Sequence, residues 1–228
     1  MVIGNGMIAN MFKKYASVNN VVIFASGVSD SSEVKDIVFL REKSLIKSTI
    51  NQHKDKQFIY FSSCSLEDEE LKYTPYHMHK KKIELSIQRN SPNYIIFRLP
   101  NVIGFGGNEA NIINFLINKI KNNNEFAIHK NATRNIVDIE HFYQIASYII
   151  DNKSYRNRII NIAYDSNTSI IDLVFSIEKM LNIKSIFSTE SKGSDLKIDN
   201  LEIRHIMEML NIKQPDILTL LRKYKDKC

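Results

Sequence analysis

Short apolar runs alternating with longer amphipathic stretches constrain this chain more than any other feature. Met1-Val2-Ile3 is a very short apolar run, followed by Gly4-Asn5-Gly6-Met7-Ile8-Ala9 and a helix-like stretch over 11–16, which predicts strand, glycine turn and helix. Residues 21–25 predict a second buried strand closed by Ser26 and Gly27, and residues 32–53 one helical crossover. Residues 58–61 predict a third strand, ending in Ser62-Ser63-Cys64-Ser65; an acidic loop then leads through Pro75 to a helix over 76–89, and residues 94–99 predict a fourth strand ending at Pro100. Apolar strands alternating with helices predict an α/β fold, a parallel sheet covered on both faces. Right-handed crossovers place the strand ends, and any ligand, along one edge.

Beyond Pro100 the pattern becomes mixed: a helix over 110–121, short strands near Phe126 and over 135–137, a helix over 140–150 and a strand over 158–163. Residues 168–181 carry Ile170, Ile171, Leu173, Val174, Ile177 and Leu181 on a helical stripe, whose plain reading is core packing. Two helices, over 200–210 and 216–223, complete the pattern. A length of 228 residues suits one domain, or one domain with a small second lobe. Hydrophobic residues at 43% and charged residues at 25% exclude a disordered or fibrous class.

The formal charge of +6 is spread as Lys among Asn and Ile, without the clustered Arg and aromatic stripe of a nucleic-acid surface, so no nucleic-acid partner is expected. Cys64 and Cys228 give neither a disulfide framework nor a paired-cysteine metal motif, which points to a reducing compartment. No apolar run approaches the roughly 20 residues of a membrane span. The N-terminal sequence lacks a basic segment followed by an apolar stretch and a cleavage site, so a cytoplasmic location is expected.

Two constellations carry chemistry. Gly4-x-Gly6-x-x-Ala9, between a strand and a helix, is either an ordinary tight turn or a place where backbone N–H groups approach a pyrophosphate. Tyr76 and Lys80 lie four apart and share one helix face, with Ser63 at the end of the preceding strand. An ammonium near a phenol lowers a pKa that otherwise sits near 10, as a proton-transferring Tyr requires. Ser63 is placed to hold a substrate oxygen. His77 and His79, one residue apart in a helix, point to different sides, so no metal site is expected. Cys64 has no evident basic partner and reads as small-residue packing, and Lys81 and Lys82 as a solvated face.

In their order along the chain, these motifs resemble the extended short-chain dehydrogenase/reductase family, the nucleotide-sugar epimerases, dehydratases and 4-ketoreductases. The match runs over most of the chain. Gly4 to Ala9 sits at the family's phosphate turn, Phe58-Ile59-Tyr60-Phe61-Ser62-Ser63 resembles the strand bearing the catalytic hydroxyl, and Tyr76 with Lys80 the catalytic pair. Arg98-Leu99-Pro100-Asn101-Val102-Ile103-Gly104 is similar to the segment whose Asn touches substrate phosphate, and Arg134-Asn135-Ile136-Val137-Asp138-Ile139-Glu140-His141 to the Arg-containing segment of the substrate lobe. Ile160-Asn161-Ile162-Ala163 and the stretch over 168–173 resemble the strand and helix behind it.

The resemblance implies a shortened Rossmann-like, doubly wound core over 1–100 and the remaining core strands with a small mixed α/β substrate lobe over 101–228. It implies Ser63, Tyr76 and Lys80 as catalytic residues. Gly4, Gly6, Met7, Ile8, Ala25, Ser26 and Lys80 would hold NAD or NADP, and Asn101 and Arg134 the diphosphate of a nucleotide-sugar substrate. A homodimer pairing the two long helices that flank Tyr76 is a further expectation.

Three departures qualify this. Family members carry two more strand-helix units after the first helix, which build the adenosine half of the cofactor site; here residues 21–25 follow almost at once, so weakened cofactor affinity is expected. Asp30 and Glu33 lie about 20 residues beyond the glycines, yet neither is assigned to the ribose. The Asn that often completes the catalytic set is not identifiable over 32–52. Cys64 and Ser65 stand where dehydratases place an Asp-Glu pair, which disfavours water elimination and leaves carbonyl reduction or epimerisation through a transient ketone. The alternative is a binding module that keeps the cleft without useful catalysis.

Overall fold

The computed structural model describes residues 1–106, 111–152 and 154–225; Cys228 and the first residue of the helix expected over 110–121 lie outside them. Strand β1 (Val2–Ile3) leads into α1 (Met7–Met11), a 3-10 turn and β2 (Val21–Phe24); α2 (Asp36–Gln52), β3 (Gln57–Ser63), α3 (Pro75–Asn90) and β4 (Tyr94–Leu99) follow. The remainder runs β5 (Asn101–Ile103), α4 (Ile112–Lys121), β6 (Phe126–His129), β7 (Thr133–Arg134), β8 (Ile136–Asp138), α5 (Ile139–Asp151), β9 (Arg158–Asn161), β10 (Thr168–Ser169), α6 (Ile170–Leu181), β11 (Phe187–Glu190), α7 (Leu201–Met209) and α8 (Ile217–Lys223).

The central sheet has the order β1-β2-β3-β4-β9, and every pairing in it is parallel. Its inner strands β2, β3 and β4 are largely buried on both faces, which is why they read as apolar runs. Alternate residues serve opposite faces. Val22, Phe24, Phe58, Tyr60 and Ile96 pack with Ile46 and Ile50 of α2 and Ile83 and Ile87 of α3. Ile23, Ile59, Phe61, Ile95 and Phe97 join a larger core with Phe12, Phe142 of α5 and Leu173 of α6.

The catalytic-type residues of α3 are set by its first turn. Thr74 caps the helix, its side chain accepting from the His77 N–H, and Pro75 supplies a first-turn residue that needs no N–H partner.

Three small two-stranded sheets, β5-β8, β7-β10 and β6-β11, lie beyond the main sheet. Strands β5, β10 and β11 are additions to the sequence expectation, β10 taking the first two residues of the helical stripe expected over 168–181. The helix expected over 11–16 is instead α1 with the 3-10 turn Lys13–Ser17. The strand expected over 135–137 divides at Asn135, whose side chain leaves the ladder to bond the Tyr164 backbone, donating to its carbonyl at 2.9 Å and accepting from its N–H at 3.0 Å.

Candidate active site

The C-terminal ends of β1, β2 and β3 open into a cavity of about 990 Å³, near the upper end of the range for small-molecule sites. Gly6, Met7 and Ile8 line it after β1, Ala25 and Ser26 after β2, and Ser63 after β3. Tyr76 and Lys80 from α3, with Asn101 and Arg134 from the later segment, complete the wall. Gly4 does not line the cavity; it shapes it. With φ at +127°, and with a Cβ that would stand 2.3 Å from the Ala25 carbonyl oxygen, only glycine lets the ends of β1 and β2 come this close. A Cβ at Gly6 would meet open space.

Ser26 is held from below. Arg41 of α2 donates through Nη2 to the Ser26 carbonyl at 2.7 Å and through Nη1 to its hydroxyl at 3.1 Å. Asn101 Nδ2 donates to the Asn135 carbonyl at 3.4 Å, and Arg134 Nη1 to the Thr133 carbonyl at 2.7 Å. Ser62 also lines the cavity, and its buried hydroxyl has no hydrogen-bond partner among the described residues.

Tyr76 is buried, and burial pushes its phenol pKa up; the charge of Glu42 adds to this, while its hydrogen bond with Ser63 works the other way. The lowering expected from Lys80 is absent. Lys80 Nζ sits 5.8 Å from the centroid of the Tyr76 ring, but its hydrogen bonds go elsewhere: to Tyr60 Oη at 2.7 Å and Glu42 Oε1 at 3.2 Å. Burial pulls the Lys80 ammonium pKa down despite Glu42.

Glu42 is the residue that sequence reasoning missed. It is fully buried and accepts four hydrogen bonds: from Tyr60 Oη at 2.6 Å, His79 Nε2 at 2.8 Å, the Val28 N–H at 2.8 Å and Lys80. Burial pushes its carboxyl upward, but Lys80, His79, Tyr60 and Val28 together hold it at about 2. Because Glu42 can only accept, His79 must donate from Nε2. A signal was present: Glu42 falls on the stripe Glu42, Ile46, Thr49, Ile50 that α2 buries.

His77 bonds Ser65 and Thr74, so the two histidines of α3 serve separate networks. Cys64 is buried, and desolvation, with Glu67 adding to it, pushes its thiol well above the ordinary range.

The chain has the fold of NAD-dependent nucleotide-sugar epimerases and dehydratases, a Rossmann-type parallel sheet carrying a mixed C-terminal lobe. It is similar in structure to UDP-glucuronic acid 4-epimerase from Bacillus cereus, solved with UDP-glucuronic acid and NAD, at a TM-score of 0.69 and 16% identity over 95% of this chain and 77% of that one. It is similar to dTDP-glucose 4,6-dehydratase from Bacillus anthracis, solved with NAD, at a TM-score of 0.67 and 12% identity over 97% and 79%. A third structure, RMD from Pseudomonas aeruginosa complexed with NADPH, aligns at a TM-score of 0.68 and 13% identity over 97% and 98%. No family model and no curated protein sequence matches the chain.

Proposed function

We propose that this chain is an extended short-chain dehydrogenase/reductase that reduces or epimerises a nucleoside-diphosphate sugar with NAD or NADP. The observation that carries this reading is the convergence of Ser63, Tyr76 and Lys80 on one cleft at the C-terminal edge of a parallel sheet. That structural neighbours were solved with UDP-sugar and with NAD or NADPH supports the ligand classes.

The cleft suits the nicotinamide half of a dinucleotide better than the adenosine half. Ala25 and Ser26 form a floor, Gly6 leaves backbone open to the cavity, and the unpaired Ser62 hydroxyl awaits a partner. On the other side β1 is the sheet edge, where relatives of this fold class would continue with the strands that hold adenosine. When bound, the nicotinamide would supply or take the hydride. Tyr76 would hold the proton exchanged with the sugar oxygen, and Ser63 would orient that oxygen by a hydrogen bond. Asn101 and Arg134 lie along the same wall and would bind the diphosphate, the guanidinium by charge-assisted hydrogen bonds. Exposed Ile37 and Leu40 on α2, with Met78 and Leu85 on α3, offer the apolar face of the homodimer that belongs to the same proposal.

Tyr76→Phe tests the reading. On a 4-keto nucleotide sugar with reduced cofactor, turnover should fall by roughly a hundredfold to ten-thousandfold while ligand binding stays nearly intact. Retained wild-type turnover would remove Tyr76 from the proton-transfer role, and a wild-type protein that binds the nucleotide sugar without turning it over would favour the second reading, a nucleotide-sugar-binding module. That alternative has one observation behind it, the engagement of Lys80 by Glu42 and Tyr60 in place of the cleft.

A further inference from the structure

A second network adjoins Tyr76, whose ring meets that of His77 edge-on at 5.4 Å and whose hydroxyl bonds Ser63. Ser63 Oγ and Ser65 Oγ lie 2.7 Å apart, and Ser65 Oγ lies 2.8 Å from His77 Nε2. His77 Nδ1 meets Thr74 Oγ1, whose hydroxyl donates to the Leu71 carbonyl at 3.0 Å.

One arrangement of the hydrogens runs outward from the cleft. In it the Leu71 carbonyl accepts from both the N–H and the hydroxyl of Thr74, which leaves Thr74 Oγ1 to accept from His77 Nδ1–H. A neutral imidazole with its proton on Nδ1 presents a bare Nε2, which takes the Ser65 hydrogen. Ser65 Oγ then accepts from Ser63, and Ser63 Oγ is left as an acceptor, already used by the Ser65 N–H at 3.2 Å. Every donor points from the cleft toward His77. Burial lowers the His77 pKa, against the upward pull of the Ser65 backbone and of Asp68, which favours the neutral ring this order needs.

We propose that Ser63, Ser65 and His77 form a proton relay for Tyr76, with His77 Nε2 as the store. The proposal rests on the oxidoreductase reading above and deepens it. In the oxidising direction, the sugar alcohol gives its proton to the Tyr76 oxygen as the Tyr76 proton passes to Ser63. Ser63 passes its own to Ser65, and Ser65 passes its own to Nε2, leaving an imidazolium. The C–H bond breaks with its electron pair, the hydride leaving to an oxidised nicotinamide, and the ketone forms. Reduction of the ketone runs every transfer backwards and returns His77 to neutral. Lys80 is less well placed for this task, because two of its three N–H groups are engaged by Glu42 and Tyr60.

Two measurements on the full chain test the relay. Long-range nitrogen–proton correlation NMR of histidine-labelled protein at pH 7.5, with His77→Gln for assignment, should show a neutral His77 carrying its proton on Nδ1. A protonated ring, or a proton on Nε2, overturns the proposal whether or not the protein turns over. The second measurement is kcat and KM on a 4-keto nucleotide sugar. Ser65→Ala and His77→Gln should each lower kcat by roughly tenfold to a hundredfold with KM held. Added imidazole should restore part of the rate to His77→Ala, and none to the Ser65→Ala/His77→Ala double variant. Wild-type kcat in His77→Gln overturns the relay while leaving the enzyme reading intact. A wild-type protein without turnover overturns the enzyme reading instead, and the tautomer then decides the relay alone.

Discussion

Replacing Glu42 by Gln changes one charge in a place where water cannot answer for it. The carboxylate is fully buried beside an ammonium that is 2% exposed. The amide keeps the shape of the site, and its oxygen can still accept from His79 and Val28. Its NH2 end can donate to Tyr60, whose hydroxyl hydrogen can turn away. Lys80 alone has no remedy, since its ammonium would face an amide donor at the 3.2 Å position Glu42 Oε1 now holds. Breaking a buried pair in this way costs about 3–5 kcal/mol. The pKa leads to a similar size: from an ordinary 4.5 to about 2, Glu42 contributes about 3 kcal/mol, and Lys80, pulled down by burial, offsets part of it. For a chain of this length the melting temperature should fall by roughly 6–20 °C.

The sign with pH follows from the depressed carboxyl. Its contribution is fully present above the unfolded value of 4.5 and is lost as pH falls toward about 2. Urea denaturation at pH 7 and again between pH 5 and pH 3 should therefore show the gap between wild type and Glu42→Gln narrowing with acid. Adding Lys80→Met removes the stranded charge, so the double variant should recover most of the loss. A single variant within about 0.5 kcal/mol of wild type at pH 7 would refute the charged pair.

The other predictions concern the same cleft. A Cβ at Gly27 would stand 2.8 Å from Glu42 Oε1 and 3.0 Å from Lys80 Nζ, both fixed by their own bonds, so Gly27→Ala should cost about 1–3 kcal/mol in urea denaturation. Cys64 should resist iodoacetamide at pH 8 in the native protein and react on unfolding, because the thiol is buried and held protonated; peptide mapping that finds it alkylated at a free-thiol rate would contradict this. Without an adenosine half-site the chain lacks ribose hydrogen bonds worth about 1 kcal/mol each, so NAD(P) should bind roughly tenfold or more weakly than to full-length enzymes of this fold, as calorimetry can measure.

Local patterns made much of this readable. Ser63 ends a strand whose burial is continuous, and Tyr76 and Lys80 are one turn apart on a helix announced by Thr74 and Pro75. What stayed hidden depends on approach between distant segments. Glu42 reaches Lys80 across 38 positions, and a Glu between Arg41 and Lys43 reads as surface because acids are rarely buried unless paired. His77 is related to Ser65 through 12 positions of irregular backbone that no periodicity describes. Strand β11, Phe187–Glu190, carries a single large apolar residue and owes its form to parallel pairing with β6, while β5 pairs with β8.

The short sheet also shows how such a cleft can lie next to a sheet edge. An exposed edge invites pairing with other chains unless it is short or protected. Here the edge strand β1 is two residues long, and the chain turns out of the sheet at Gly4. What positions the cleft lies deeper. Strand β2 is buried throughout; Arg41 fixes the loop that follows it at Ser26, and Glu42 fixes the same loop at Val28. Adjacent residues of one helix therefore anchor the loop, and one of them also anchors Lys80. That coupling places the floor of the cleft and the ammonium beneath it under the control of a single carboxylate, so a change at Glu42 should reach the Ala25–Ser26 floor as well as the stability of the fold.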